Sequence, residues 1–472
     1  MDPLREERIR AEEAARPRAE RDPTRPVFHY RPAAQWMNDV CAAFKHKEWY
    51  HIFYQFGPFH DHNTKLIGWG HARSRDLVYW EILPEAIWPV PNKGEICYAS
   101  GSAMVTDAGI PVLFFAWTPD GVWEGKGKRE QRAALPVDEE LREWRTVEIG
   151  LKAGSNGVPE DIKGSWADMF VFRSGSRIFA TFKSAGGLLC EARNSELTDW
   201  HVTGRIEGID GECPNFFPLD GKYVLLQSTY PISYQIGGFD ADLFRFIPDG
   251  PRRTMDYGYG PKQPDNFSRG IYGTTVTTDE TGRTLLLGWV SGFRPGRGWN
   301  GCMSLPRKLT IDIDGYLIQE PAAELTKLRR EHSQSDEIIV MNDFHAVDGV
   351  TGDTLEIRIA IRPGSANACG LRLSRGNEIT PDVEITVRED ELDVAGTAVP
   401  GVLDAVTGQV TLHVFFDRSV LEVFINGGRQ TVTKVVQAEP TEARLFVFAE
   451  GGSSVFSQID VWELASIWPK RF

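Results

Sequence analysis

The chain has 472 residues, a length that favours two domains over one. Its hydrophobic fraction of 41% and charged fraction of 25% are typical of a globular protein in water, and no apolar run is long enough to span a membrane. The formal net charge of −14 argues against nucleic acid as a partner, because phosphate contacts require clustered Lys and Arg.

The N-terminal segment, residues 1–27, is dense in both charges and lacks the apolar core of a secretory signal. We predict a short exposed helix or a disordered tail there, and without a signal we expect a cytoplasmic protein. The six cysteines are scattered, with no CxxC pair, which favours free thiols over disulfides or a zinc site. We therefore expect no metal and no cofactor.

Between residues 28 and 325, an aromatic-rich strand follows a polar or glycine turn five times. Successive strands start 64, 65, 46 and 61 residues apart, which suits four-stranded blades with some long loops. The repeat therefore predicts a five-bladed β-propeller. The five predicted strands are 47–56, 111–118, 176–183, 222–228 and 283–292.

A second pattern, acid-Leu-x-x-aromatic, recurs in step with the aromatic strands. Its aromatic residue lies 33 residues after the start of a strand in the first two repeats, and 24 residues after it in the next two. Two marks that recur in phase support a true structural repeat. The four aromatic residues are Trp80, Trp144, Trp200 and Phe246.

After residue 325 the sequence changes character. Residues 326–334 are charged and are predicted to be a linker, and residues 335–472 contain short strands of alternating polarity. Regular strands and turns without helices predict a β-sandwich, so the fold class is all-β. We favour a bracing role for this domain over sugar binding. Its predicted strands are 354–361, 370–375, 382–389 and 412–428, the last ending in a turn at 426–428.

Three acids occupy similar places in the repeat of aromatic strands, ahead of its first, third and fourth strands. Asp39 and Asp168 each lie eight residues before an aromatic strand, and Glu212 lies ten residues before one. If each repeat is a blade, equivalent positions face one shared axis and these carboxylates meet. Glycoside hydrolysis needs one carboxyl group to protonate the leaving oxygen and a second to attack or to activate water. A third carboxylate could bind sugar hydroxyls.

The motifs around these acids resemble those of glycoside hydrolase family 32, the β-fructofuranosidase family of invertases, inulinases and levanases. The resemblance covers nearly all of the chain from His29 onward. It implies a five-bladed propeller followed by a β-sandwich, and a fructoside as substrate. The matching motifs include WMND (36–39), FYQF (53–56), WGHA (69–72), SGS (100–102), WAD (166–168) and ECP (212–214).

The resemblance also implies roles for individual residues. Asp39 is similar to the nucleophile that forms a covalent fructosyl-enzyme, and Glu212 to the general acid/base. Asp168 is similar to the residue that stabilises the transition state. The residues expected around the fructosyl ring are Asn38, Gln55, Trp69, Ser102 and Trp36.

Two motifs depart from the family pattern. The nucleophile loop usually continues Asp-Pro-Asn-Gly, but here it runs through Val40 to Ala43, and the usual Arg-Asp-Pro is Ala167-Asp168-Met169. Loss of the arginine removes a charged donor from the site, and loss of the prolines removes a conformational constraint. Three hypotheses follow: a retaining hydrolase of sucrose, fructooligosaccharides or fructans, a fructosyltransferase, or a non-catalytic carbohydrate-binding protein. Each takes a small sugar or an oligosaccharide as its ligand.

Overall fold

The computed structural model describes residues 4–64, 66–259, 269–374, 383–436 and 443–468. The N-terminal segment forms helix α1 (Arg5–Arg21). Its alanines favour helix, and its acidic first turn and basic last turn complement the helix dipole. The prediction of a helix is correct.

The expectation that this helix is exposed is wrong for one of its faces. Arg8 is only 3% exposed, forms an ion pair with Glu85 at 2.6 Å, and places its guanidinium 4.2 Å from the centre of the Trp88 ring. Ala19 is fully buried, and the backbone of α1 packs closely against Gly298, where an added Cβ would lie 2.9 Å from the Ala15 carbonyl oxygen. A segment rich in charged residues is expected to be exposed, but Arg8 can be buried because Glu85 neutralises its charge.

The first three blades of the propeller are antiparallel sheets whose strands follow chain order. Blade 1 contains β1 (Gln35–His46), β2 (Trp49–Gly57), β3 (Gly68–Ser74) and β4 (Trp80–Ile87). Blade 2 contains β5 (Glu95–Val105), β6 (Pro111–Pro119), β7 (Glu130–Pro136) and β8 (Trp144–Leu151). Blade 3 contains β9 (Ala167–Ser174), β10 (Arg177–Lys183), β11 (Leu188–Ala192) and β12 (Trp200–Arg205).

The last two blades carry short additional strands. Blade 4 contains β13 (Glu212–Leu219), β14 (Lys222–Ser228), β15 (Ile232–Asp240), β16 (Arg245–Pro248) and β17 (Arg253–Asp256). The chain continues through β18 (Ile271–Thr278), β19 (Thr284–Val290), β20 (Trp299–Asn300), β21 (Cys302–Met303), β22 (Arg307–Ile311) and β23 (Leu317–Pro321), and all of these except β20 form blade 5. Strand β20 instead joins the sheet of blade 1, where it pairs in parallel with β1 and so ties the last blade to the first.

The first strand of each blade lies at the centre of the ring. Strand β1 packs beside β5, β5 beside β9, β9 beside β13, and β13 beside β18, which returns to β1. The five aromatic strands predicted from the sequence are the second strands β2, β6, β10, β14 and β19, with ends within two residues of those predicted. The prediction of a five-bladed propeller is confirmed.

The acid-Leu-x-x-aromatic repeat marks the turn into the outermost strand of a blade. The leucine adopts a positive φ, and its carbonyl accepts a hydrogen bond from the indole N–H of the tryptophan that starts the next strand. The donor–acceptor pairs are Trp80 to Leu77 at 3.2 Å, Trp144 to Leu141 at 3.0 Å and Trp200 to Leu197 at 2.8 Å. In blade 4 it is Phe244, not the leucine, that has the positive φ.

The C-terminal strands form a sandwich-like sheet that curls around one aliphatic core, as predicted. Its first members are β24 (Arg329–Ser335), β25 (Ile338–Thr351), β26 (Thr354–Arg362), β27 (Ala368–Ser374), β28 (Val383–Arg388) and β29 (Glu391–Val394). The others are β30 (Thr397–Pro400), β31 (Val410–Asp417), β32 (Val420–Ile425), β33 (Gln430–Val435) and β34 (Arg444–Leu464). Short 3₁₀ helices lie at Pro91–Lys93, Val122–Glu124, Ala323–Leu328 and Asn426–Gly428.

Two predictions within this region are wrong. The predicted linker contains β24, which pairs with β34. One of its charged residues, Arg329, packs within the domain: it forms an ion pair with Glu356 at 2.6 Å and stacks 3.7 Å over Trp462. The stretch 412–428 is not one strand but the hairpin of β31 and β32, reversed at Arg418. Residues 375 and 382 of the predicted strands lie outside the described residues.

A buried polar network joins the propeller to the sandwich. Arg307 of β22 donates to Glu422 of β32 at 2.7 Å and to Asp256 at 3.2 Å. His29 lies 2.8 Å from Asp417 and 3.2 Å from Glu422 through its two ring nitrogens. The side chains of this network are at most 1% exposed, so each charge depends on its partners.

All six cysteines fall within the described ranges and are unpaired and buried, as expected from their spacing. Among the helices described, no helix is both long and apolar enough to cross a membrane.

Candidate active site

Each central strand loses register with the second strand of its blade at one or two places. Such a bulge leaves a residue unpaired and re-aims its side chain. The breaks include those at Met37–Val40 in β1, Ala99–Gly101 in β5, Glu212–Asn215 in β13 and Tyr272–Thr275 in β18, and in blade 3 the one between Thr181 and Lys183 of β10, opposite β9.

A cavity of about 680 Å³ opens where these bulges meet. Asp39, Asp168 and Glu212 all line it, although up to 173 residues separate them in the chain. Asn38 and Gln55 line it as well. Further lining residues are Asn63, Thr64, Ile67, Cys97, Ala99, Ser100, Glu124, Arg129 and Lys183.

Asp39 is held tightly at the base of this cavity. The Ser100 hydroxyl donates to Asp39 Oδ2 at 2.7 Å, and the Cys213 thiol lies 3.6 Å from the same oxygen. On the other side, a Cβ at position 273 would lie 2.3 Å from Asp39 Oδ1, so Gly273 is required for this packing. Burial, reinforced by the neighbouring carboxylates, raises the pKa of Asp39 to about 6.

Asp168 adopts a positive φ of 55° at the start of β9. Its Oδ2 accepts a hydrogen bond from the backbone N–H of Cys213 at 3.0 Å, which links blades 3 and 4. Burial raises the pKa of Asp168, and the nearby Lys183 ammonium opposes that shift. This hydrogen bond fixes the orientation of the carboxylate at the wall of the cavity.

The Glu212 side chain is 43% exposed, whereas Asp168 is buried. Glu212 Oε1 contacts Lys183 Nζ, and Glu212 Oε2 accepts a hydrogen bond from the Tyr272 hydroxyl at 3.2 Å. An accessible carboxyl group opposite an enclosed one is a suitable arrangement for proton transfer beside a nucleophile.

The amide side chains of Asn38 and Gln55 form a hydrogen-bonded pair on the cavity wall. Asn38 Nδ2 donates to Gln55 Oε1, and Gln55 Nε2 donates to the Tyr98 carbonyl at 3.3 Å. The indole of Trp36 donates to Asn38 Oδ1 at 2.8 Å. These bonds fix the orientation of both amides on the cavity wall.

Three residues expected at the fructosyl ring are not among the described residues that line the cavity. Trp36 lies behind Asn38, and Trp69 is fully buried against Phe115 between blades 1 and 2. Ser102 accepts a hydrogen bond from the backbone N–H of Val171 at 3.0 Å. Their contact with a sugar therefore stays a prediction, and the structure places Trp69 and Ser102 in the packing behind the cavity wall.

Sequence reasoning also missed residues that the fold brings to the site. Ser100 lies in the SGS motif, but the bulge that brings its hydroxyl to Asp39 leaves no signal in the sequence. Lys183 ends a predicted strand, and only the pairing of β10 with β9 reveals its position. Arg129, which donates to the Ser165 carbonyl at 2.8 Å, has no local signal in the sequence.

A larger cavity of about 1010 Å³ lies between blades 4 and 5 and the sandwich. Of its three acids, Asp312 and Asp314 form ion pairs with Arg429 at 2.5 Å, and Asp404 accepts hydrogen bonds from the backbone N–H groups of Val406 and Thr407. Within the described ranges, no three His, Cys, Asp or Glu side chains come together in a way that could hold a metal ion. The smaller axial cavity is therefore the candidate active site.

A propeller that gathers carboxylates at its axis and carries a β-sandwich defines a class of glycosidases. The chain matches the model of the glycosyl hydrolases family 32 N-terminal domain over residues 29–321 and that of the family 32 C-terminal domain over residues 324–463. The protein therefore belongs to glycoside hydrolase family 32 and is a glycosidase.

Named relatives and solved structures are similar along most of the chain. It is 28% identical to a levanase of Bacillus subtilis (strain 168), covering 94% of this chain and 71% of that protein. It is 27% identical to a sucrose-6-phosphate hydrolase of Escherichia coli, covering 93% and 94%. The crystal structure of fructan 1-exohydrolase IIa from Cichorium intybus shares the fold, with a TM-score of 0.80, 21% identity, and coverage of 94% and 98%.

Proposed function

We propose that the protein hydrolyses β-fructofuranosidic bonds with retention of configuration, through a covalent fructosyl intermediate on Asp39. The observation that carries the proposal is the convergence of Asp39, Asp168 and Glu212 on one cavity. Relatives named levanase and sucrose-6-phosphate hydrolase support a fructoside as the substrate.

In the first step, an Asp39 oxygen attacks the anomeric carbon of the fructosyl unit. Glu212 gives its proton to the leaving glycosidic oxygen, so the bond breaks without release of an alkoxide. In the second step, Glu212 accepts a proton from water as that water attacks the same carbon and releases Asp39. Asp168, oriented by the Cys213 N–H, accepts hydrogen bonds from fructosyl hydroxyls as positive charge develops on the ring.

Hydrolysis is favoured over transfer by the placement of the atypical residues. Val40, Ala42 and Met169 are at most 2% exposed and belong to hydrophobic clusters of blades 1 to 3. Ala167 is fully buried against Ala116. Since these side chains pack inside the propeller, they provide no new surface for an acceptor sugar.

The proposal is tested by product analysis on sucrose, sucrose 6-phosphate, inulin and levan. We expect free fructose as the main product of at least one substrate, together with glucose 6-phosphate where sucrose 6-phosphate is cleaved. The Asp39→Ala and Glu212→Gln variants should lose nearly all turnover, whereas Glu207→Gln, an exposed carboxylate outside the cavity, should not. Longer fructosides as the main product would instead indicate a fructosyltransferase, and full activity of Asp39→Ala would contradict the mechanism.

A further inference from the structure

We propose that Lys183 positions the Glu212 carboxylate for proton transfer to the leaving group. The inference rests on the proposed function and adds a residue to it. Lys183 Nζ contacts Glu212 Oε1, and both side chains line the axial cavity. Glu212 is part-exposed, so a charged partner on one oxygen restricts rotations that would otherwise turn its proton away from the substrate.

The strand pairing brings Lys183 to this place. Lys183 of β10 is the direct partner of Ala167 of β9, immediately after a register break. Directly paired residues of antiparallel strands place their side chains on the same face of the sheet. Ala167, which stands where the family usually has an arginine, carries no charge. The ammonium of Lys183, on the neighbouring strand, supplies a positive charge beside Asp168 instead.

The surroundings keep Lys183 charged. Burial would lower the pKa of its ammonium, but the carboxylates of Asp168 and Glu212 raise that pKa above its ordinary value. Its side chain is 24% exposed, so the charge acts in a partly desolvated site where electrostatic interactions are strong. A single ammonium thus faces two of the three catalytic carboxylates.

A second cation of the cavity has a different set of contacts. Arg129 is 6% exposed, and its guanidinium donates to the Thr118 hydroxyl at 3.1 Å and to the Ser165 carbonyl at 2.8 Å. These bonds anchor it in the wall between blades 2 and 3. The ammonium of Lys183 contacts the Glu212 carboxylate itself.

The dependence of the rate on the leaving group tests this role. The neutral variant Lys183→Met is compared with the wild type on sucrose and on p-nitrophenyl β-D-fructofuranoside, whose leaving group needs no proton. We expect kcat/KM on sucrose to fall by roughly tenfold to a hundredfold, and on the aryl fructoside by less than about threefold, because only the first substrate depends on general acid catalysis. Lys183→Arg should restore most of the sucrose rate.

Lys222→Met is the matched control, because Lys222 is an exposed lysine of the next blade that pairs with Asp249. Its kinetic constants should equal those of the wild type. Lys183→Gln provides a second neutral variant if thermal unfolding shows that the methionine variant is not folded. Equal losses on both substrates, or no loss on sucrose, would overturn the role of Lys183 alone. No turnover by the wild type of these two substrates or of sucrose 6-phosphate, inulin and levan would contradict the proposed function itself.

Discussion

At the scale of single residues, Asp39 is the group whose surroundings determine most of the chemistry. Burial and two neighbouring acids raise the pKa of Asp39, and the hydrogen bond from the Ser100 hydroxyl partly opposes that rise. A nucleophilic carboxylate must be ionised to attack, so its raised pKa has a direct kinetic consequence.

We predict that kcat/KM falls as the pH drops through about 6, the pKa of Asp39, because the carboxyl group becomes protonated. Ser100→Ala removes a hydrogen bond that favours the ionised form, so this acid limb should move to higher pH. The measurement is the pH dependence of kcat/KM on a fructoside substrate.

Ser102→Ala is the matched control for this measurement, since Ser102 bonds the backbone of Val171 rather than Asp39. Its acid limb should coincide with that of the wild type. An unchanged limb in Ser100→Ala, or the same displacement in both variants, would show that Ser100 does not set the ionisation of Asp39.

At the scale of the strands, the in-phase bulges turn a regular propeller into an active site. They bring Asp39, Ser100, Asp168 and Glu212 to one cavity, and Gly273 lies against the first of these. Gly273 has a φ of 50° and leaves no room for a side chain. The bulge of β18 therefore packs directly against the proposed nucleophile.

Gly273→Ala should displace the Asp39 carboxylate and lower kcat/KM by about a hundredfold, since a shift near 1 Å in a reacting group has that cost. Gly221→Ala is the control: Gly221 also has a positive φ, of 78°, but no atom lies within 4 Å of its added Cβ. Both variants should lose some thermal stability because alanine is strained there. Activity should fall only in Gly273→Ala; a matching fall in Gly221→Ala, or none in either, would contradict this account.

The strands themselves could be predicted, because aromatic runs and turn residues recur at blade spacing. The bulges could not, because a local register break leaves no simple periodic signal. The resemblance implies Ser102 and Trp69 as sugar contacts, and these stay predictions, whereas the hydrogen bond from Ser100 to Asp39 depends on a bulge that the sequence does not show. The place of Lys183 in the cavity could not be predicted either, because it depends on the register by which β10 pairs with β9.

At the scale of the whole molecule, the buried network around His29 holds the sandwich against the propeller. Its members come from both ends of the chain: His29 bonds Glu422 across 393 residues. No local pattern could have predicted that contact. Burial opposes the charge on His29, but Asp417 and Glu422 raise the pKa of His29 to about 9.

A raised histidine pKa in the folded state stabilises the protein fully below the unfolded value of 6.5, and this contribution is lost as the pH rises through about 9. His29→Gln should therefore lower the thermal midpoint most at pH 6.5, and the difference from wild type should shrink as the pH approaches 9. Thermal unfolding over this range measures it. His345→Gln, at an exposed histidine of the sandwich, is the control and should show no such trend. A constant difference for His29→Gln would contradict a charged His29.

The central claim is that Asp39 forms a covalent bond to the fructosyl unit while Glu212 moves the proton. In Glu212→Gln, an activated aryl fructoside should still react, because its leaving group needs no acid, but the second step lacks its base. Mass spectrometry of the rapidly quenched variant should then find one added fructosyl unit on the peptide that contains Asp39. Release of the aryl group without that adduct, or an adduct on another residue, would contradict the account.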